Sequence, residues 1–208
     1  MSTIPNWSSN SLTTTNPEII AKLKELDAAG DEDLLDAFVP MPKILGEVRT
    51  GSAKDADGNI VNKWLDGPND ECLPISDEQL AAWRKEYGHD NWYDWHVANW
   101  GTKWEADGTV YEFNADSATV LFSTAWSPPI TWLEKVIAQH PQGVTTLAYA
   151  EGGMCFYGAI TYVDGELADQ HEANDFWRET EEEFDDIMDA LTDECAAHLE
   201  RYGLGTGG

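Results

Sequence analysis

The chain has 208 residues, with 39 Asp+Glu against 12 Lys+Arg and a formal net charge of −27 at pH 7. Its 42% apolar and 11% aromatic content can build a real core, and no apolar run approaches the ~20 residues a membrane span needs. A charge this negative excludes direct binding to a phosphate backbone and disfavours an anionic membrane surface; it leaves a basic protein surface as the fitting partner.

Residues 10–15 read as a strand. Asn16, Pro17 and Glu18 form a helix start, because Asn caps, Pro fits the first helical position and Glu suits the positive end of the helix dipole. The helix predicted over about 17–29 buries Ile19, Ile20, Leu23 and Leu26, and Gly30 ends it. Over 31–75 a short helix is followed by prolines and by the turn-rich segments KDADGN and DGPNDE, which read as an irregular insert or flap. Ser76 caps a further helix, over about 77–88, with Leu80, Ala81, Trp83 and Tyr87 inward.

Five of the ten tryptophans then fall between Trp83 and Trp104. TVYEF (109–113) and ATVLFSTAW (118–126) are strands; Ser127-Pro128-Pro129 opens a helix over about 129–140; strands follow at 144–150 and 154–163. An acidic C-terminal helix occupies 166–202, its periodicity clearest over about 173–202. Its apolar stripe is Trp177, Phe184, Met188, Leu191, Cys195, Leu199 and Tyr202, and residues 166–201 carry 14 Asp+Glu against Arg178 and Arg201. The tail, 203–208, is glycine-rich and read as flexible.

The order β-α-(insert)-β-β-α-β-β-α predicts an α+β, ferredoxin-like split βαβ sheet with helices on one face. The domain covers 1–165, with a Trp-rich insert at about 31–105, and the acidic helix packs on it. Three distant cysteines (Cys72, Cys155 and Cys195) and no C-x-x-C pair fit a reducing cytoplasm better than a disulfide framework.

Five short motifs carry a family resemblance: PNWSSNSLT (5–13), VPMP (39–42), NWGTKW (99–104), FSTAWSPP (122–129) and YAEGGMCFYG (149–158). In this order they resemble the YubB ferredoxin-like family of phage and conjugative-plasmid proteins. Ser8 stands where that family usually has a cysteine, so no thiol role carries over. The resemblance implies the ferredoxin-like fold, a mobile-element origin and hence a host bacterial cytoplasm; it implies no activity.

No enzymatic or metal constellation stands out. His89, Asp90, Asp94 and His96 match no standard metal spacing. DADGNIVNKWLD (55–66) mimics a calcium loop but has Ile60 where that loop needs Gly, so a solvated turn at Asp57-Gly58 is the better reading. Neither a catalytic residue nor a cofactor or metal site is assigned. Two surfaces remain. The acidic helix offers Glu179, Glu182, Glu183, Asp186, Asp189 and Asp193 at spacings of mostly three or four, a row of carboxylates comparable with DNA phosphates. A groove built from Trp100, Lys103, Trp104, Trp126 and Glu151 is the second candidate. The reading that follows is a non-enzymatic DNA mimic, of anti-CRISPR or anti-restriction type, that binds a host nucleic-acid-binding defence complex; a second copy of the chain is a further candidate partner. The alternatives are a small nucleotide-acting hydrolase using Lys103, Asp94, His96 and Glu151, and a phage assembly protein.

Overall fold

The computed structural model describes residues 6–30, 33–154 and 156–173. The acidic row from Glu179 to Asp193, the apolar stripe from Trp177 to Tyr202 and the glycine-rich tail lie outside the described residues, as do Cys155 and Cys195.

The sheet grows from β1 (Trp7–Thr14), and the chain then enters α1 (Pro17–Ala29). Asn16 makes the join: its Oδ1 accepts the N–H groups of Glu18 and Ile19 at 2.8 and 3.0 Å, filling two of the helix's orphan donors. Its Nδ2 donates to the carbonyls of His140 and Gln142, so the same residue ties the helix start to a distant loop. Gly30, at φ 63°, closes the helix in the left-handed conformation that a side chain would disfavour.

After the insert come β5 (Asp107–Phe113), β6 (Ala118–Ala125), α6 (Ile130–Gln139), β7 (Val144–Glu151) and β8 (Phe156–Val163). β1, β5, β6 and β7 stand in the order β5-β6-β1-β7, each antiparallel to its neighbour, with α1 and α6 as the connections. This is the ferredoxin-like arrangement, in an α+β domain.

Residues Glu166–Ala173 differ from the helix expected from 166 onward: they form β9, an antiparallel edge strand paired with β8. The Asp164-Gly165 turn, with both residues at positive φ, reverses the chain directly into a hairpin. The strand was hidden because Glu166, Asp169 and Glu172 give it the polarity of a solvated helix, whereas its hydrogen bonds come from β8.

The two faces of this six-stranded sheet differ. Registers Leu12↔Val120, Leu12↔Leu147 and Leu147↔Ile160 place these residues on one face, where they join the single core cluster. All six α-helices among the described residues contribute to that cluster through Ile19, Leu35, Leu45, Leu80, Trp95 and Trp132. The opposite face carries Ser11, Thr13, Thr119, Thr146, Ala148 and Ala150, none of which belongs to the cluster.

The insert is more ordered than its turn-rich sequence suggests. It contains α2 (Leu34–Phe38), α3 (Lys43–Glu47), α4 (Asp77–Tyr87) and α5 (Trp92–Asn99), and a separate antiparallel sheet of β2 (Arg49–Lys54), β3 (Ile60–Asp66) and β4 (Cys72–Pro74). The segments read as irregular chain contain the loops of this meander. β2 is largely exposed and β3 only partly covered, so these short strands lack the apolar alternation that marks a half-buried strand. Within the first loop Asp55 accepts the Asn59 side-chain amide and the N–H groups of Asn59 and Asp57, bonds that hold its carboxyl below the usual range, while Asp66 pairs with Arg49. The calcium-like spacing is therefore spent on a hairpin turn and an ion pair.

Candidate functional site

The aromatic segment after α4 resolves into a buried part and a half-buried part. Trp100 is only 2% exposed; its indole N–H donates to Val39 O at 2.9 Å, and its ring stacks on His96 at 3.8 Å between centroids. Trp95 meets Trp100 edge-on. His96 is held among Trp92, Trp95 and Trp100. Its Nδ1 lies 2.9 Å from Lys103 O, and since a carbonyl only accepts, Nδ1 carries the hydrogen. Burial pushes its pKa down, and the ring sits in the fold as a neutral packing element. Trp100 therefore belongs to the core, not to a groove.

Lys103 and Trp104 are half-buried. The Lys103 ammonium lies 4.7 Å from the Trp104 ring centroid and 5.9 Å from that of Tyr93, and Trp104 packs against Trp7 at 6.1 Å. Tyr93 and Trp7 extend this surface, and neither was singled out from the sequence.

Trp126 is 41% exposed and adopts φ 73°, a conformation that costs a bulky residue about 1–2 kcal/mol. Four hydrogen bonds from three regions fix the turn around it. Trp126 N–H donates to Asn6 O, Thr124 Oγ1 to Ser127 O, Ser127 Oγ to Gly101 O and Thr102 Oγ1 to Ala125 O. Beneath them the buried Asn10 amide donates to Thr124 Oγ1 at 2.9 Å. The strand end and the insert together hold a strained backbone that presents an indole to solvent.

Glu151 does not join this surface. It is 2% exposed, and its carboxylate accepts the N–H groups of Gly153 and Met154 in the turn after β7. The other carboxylates raised from the sequence are similarly engaged. Asp90, 3% exposed, binds Lys63 at 2.5 Å and also Arg84, tying the small sheet to α4. Burial raises its pKa, but the bonds from Lys63 and Asn91 outweigh burial and hold the carboxyl below its usual range. Asp94 Oδ2 accepts from Asn91, the residue that caps α5. Among the described residues no group of His, Cys, Asp and Glu has metal-binding geometry.

Glu105, which nothing in its neighbourhood marks in the sequence, is the most perturbed carboxyl among the described residues. It takes the N–H groups of Leu35 at 2.5 Å, Asp36 at 2.9 Å and Ala106 at 2.9 Å, capping α2 from 70 positions away. Burial pushes its pKa up to about 7 against the pull of those donors.

An open groove of about 440 Å³ lies between Pro17, Ile20 and Lys24 of α1 and the β5–β6 turn at Asp116. No helix among the described residues is long and apolar enough to cross a membrane.

Residues 99–191 match the family model of a ferredoxin-like domain in Api92-like protein, a span that begins at the end of α5 and includes β5, β6, α6, β7, β8 and β9. Among solved structures the chain is similar to the crystal structure of a protein api92 from Yersinia pseudotuberculosis. That match has 11% sequence identity and a TM-score of 0.46, over 81% of this chain and 98% of that chain. No curated protein matches the sequence.

Proposed function

We propose that the protein is a non-enzymatic acidic binding protein, a DNA mimic of a phage or other mobile element that occupies the basic nucleic-acid-binding surface of a host defence enzyme. The observation that supports this most directly is where the charge sits. The described residues hold 26 Asp+Glu and 10 Lys+Arg, and of those carboxylates only Asp90, Glu151 and, in large part, Glu105 are withdrawn from solvent. The excess is thus a property of the whole folded surface, with the C-terminal carboxylates added to it. Like charges at this density oppose folding, and a cationic partner offsets that cost by charge neutralisation and counterion release. The buried carboxylates that a hydrolase would use are instead bound to backbone N–H groups or to cations.

The test is capture of host proteins on the immobilised chain at low and at high salt, followed by elution with duplex DNA. The expected result is a DNA-binding defence enzyme that is held at low salt, released steeply as salt rises and displaced by DNA. Capture that is indifferent to both salt and DNA refutes the proposal, as does the absence of any captured nucleic-acid-binding protein.

A further inference from the structure

We propose that the indole of Trp126 is a cation seat, on which an arginine side chain of the protein's basic partner stacks. Trp126 stands at the exit of β6 at φ 73°, where a glycine or an asparagine would make the turn with far less strain. Packing does not offset that strain, because the residue is 41% exposed and stands outside the core cluster. The turn is held all the same. The Trp126 N–H continues the β1–β6 ladder to Asn6 O at 2.9 Å, and Ser127 Oγ donates to Gly101 O at 2.6 Å. A bulky side chain fixed in a costly backbone conformation, without burial to offset it, is the pattern of a group presented to a partner.

The indole is the best aromatic seat for a cation, since its ring face carries negative potential and a flat guanidinium stacks on it. The neighbouring segment shows such a pairing within the chain: the Lys103 ammonium lies 4.7 Å from the Trp104 ring centroid. Lys22 and Lys24 are likewise seated on Phe38 and Phe113. No cation of the described residues is seated on Trp126.

Charge decides between a cationic occupant and a purely apolar one. The chain carries a net −27. Asp107, exposed on β5 opposite Ser123, places a carboxylate about 10 Å along β6 from Trp126, close to the screening length at physiological salt. Such a field gathers cationic side chains at the surface and leaves a neutral apolar one indifferent. Among cations arginine fits better than lysine, because its planar group stacks and is more weakly hydrated. The arginine is supplied by the basic partner proposed above, on which this assignment rests. What it adds is an aromatic anchor at a strand end, where the surface charge alone would spread contact over many carboxylates.

The experiment measures binding of the full chain to a short arginine–glycine peptide and to the lysine–glycine peptide of equal charge, at one salt concentration. Trp126→Asn, which the positive φ tolerates, is expected to weaken the arginine peptide about fivefold and the lysine peptide less. Ile60→Ala, at an exposed apolar residue of β3, is expected to change neither. Unchanged arginine affinity in Trp126→Asn, an equal loss for both peptides, or a matching loss in Ile60→Ala each overturns the proposal. A second readout leaves the fold untouched: mono-, di- and trifluorotryptophan at position 126 keep the shape and drain the ring's negative face. Arginine-peptide affinity is expected to fall in step with fluorine number, and a flat or rising series shows an apolar contact and overturns the cation seat. The two proposals fail separately. Capture that is salt-sensitive and DNA-displaceable, together with peptide affinities indifferent to Trp126, removes the seat and leaves the function. A stepwise fluorine effect with no captured nucleic-acid-binding protein removes the function and leaves the seat.

Discussion

Gly158 lies where three strands meet, and replacing it tests the architecture at the edge from which the C-terminal segment departs. It pairs with Tyr149 of β7 and with Glu172 of β9. A Cβ at this position would lie 2.5 Å from the backbone oxygen of His171 and 2.6 Å from the Tyr149 hydroxyl. Both are closer than real Cβ contacts come. The first neighbour is part of the β8–β9 ladder and cannot swing aside. The second is a phenol, 1% exposed as a residue, that crosses over the glycine to donate to Glu172 Oε2 at 3.2 Å. Overpacking of this kind costs about 1–3 kcal/mol, and displacing the phenol forfeits a hydrogen bond worth about 1 kcal/mol more. Gly158→Ala is therefore expected to destabilise by about 2–4 kcal/mol in urea unfolding followed by tryptophan fluorescence. Tyr149→Phe alone removes the bond and is expected to cost about 1 kcal/mol. In the double variant the hydroxyl clash is gone, so its cost is expected to fall short of the sum by at least about 0.5 kcal/mol, whereas independent sites would add. A Gly158→Ala variant within about 0.5 kcal/mol of the parent, or strict additivity in the cycle, would refute this account of the β7–β8–β9 edge.

The remaining predictions concern the core, the charges and the exposed indole. Trp132 is fully buried, donates to Leu35 O at 3.0 Å and meets Phe38 edge-on, so Trp132→Phe should lower the urea-derived stability by about 1–3 kcal/mol; a neutral result would contradict the bridge from α6 to α2. For Glu105 the folded pKa of about 7 exceeds the ordinary glutamate value of 4.5. Its contribution is full below the unfolded pKa and is lost as pH rises through about 7, so Glu105→Gln should gain on the parent between pH 5 and pH 8. His96 has the opposite sign: its folded pKa lies below 6.5, so its contribution is full above that value and is lost as pH falls through the lower folded pKa. His96→Leu should flatten this acid limb in a series of denaturation midpoints, and an unaltered limb would count against a neutral, caged imidazole. Trp126→Asn puts a residue tolerant of φ 73° at the strained turn and should raise stability by up to about 1 kcal/mol in thermal melts; a loss above that size would show that the indole packs rather than presents itself.

Local chemistry made much of this protein readable in advance. Asn16-Pro17-Glu18 and Gly30 fixed α1 because a cap, a ring-locked φ and a left-handed closing residue act within a few positions of one another. The apolar spacing of Leu133, Val136 and Ile137 did the same for α6, and the element order around the insert gave the ferredoxin-like sheet. The net charge was fully readable, since it depends on composition alone. Folding decided what depends on contacts between distant positions. Glu105 caps a helix 70 residues away, and Asp90 gathers Lys63 and Arg84 from two elements. Trp100 and Glu151, which looked like surface residues in a motif, became core and turn because Val39, Gly153 and Met154 offered them partners. Residues 166–173 read as part of an acidic helix and became a strand because β8 supplied the hydrogen bonds. A helix carries its hydrogen bonds within its own segment, so its signals are written locally; a strand, a buried ion pair or a remote cap is completed only by residues that the chain brings back from elsewhere.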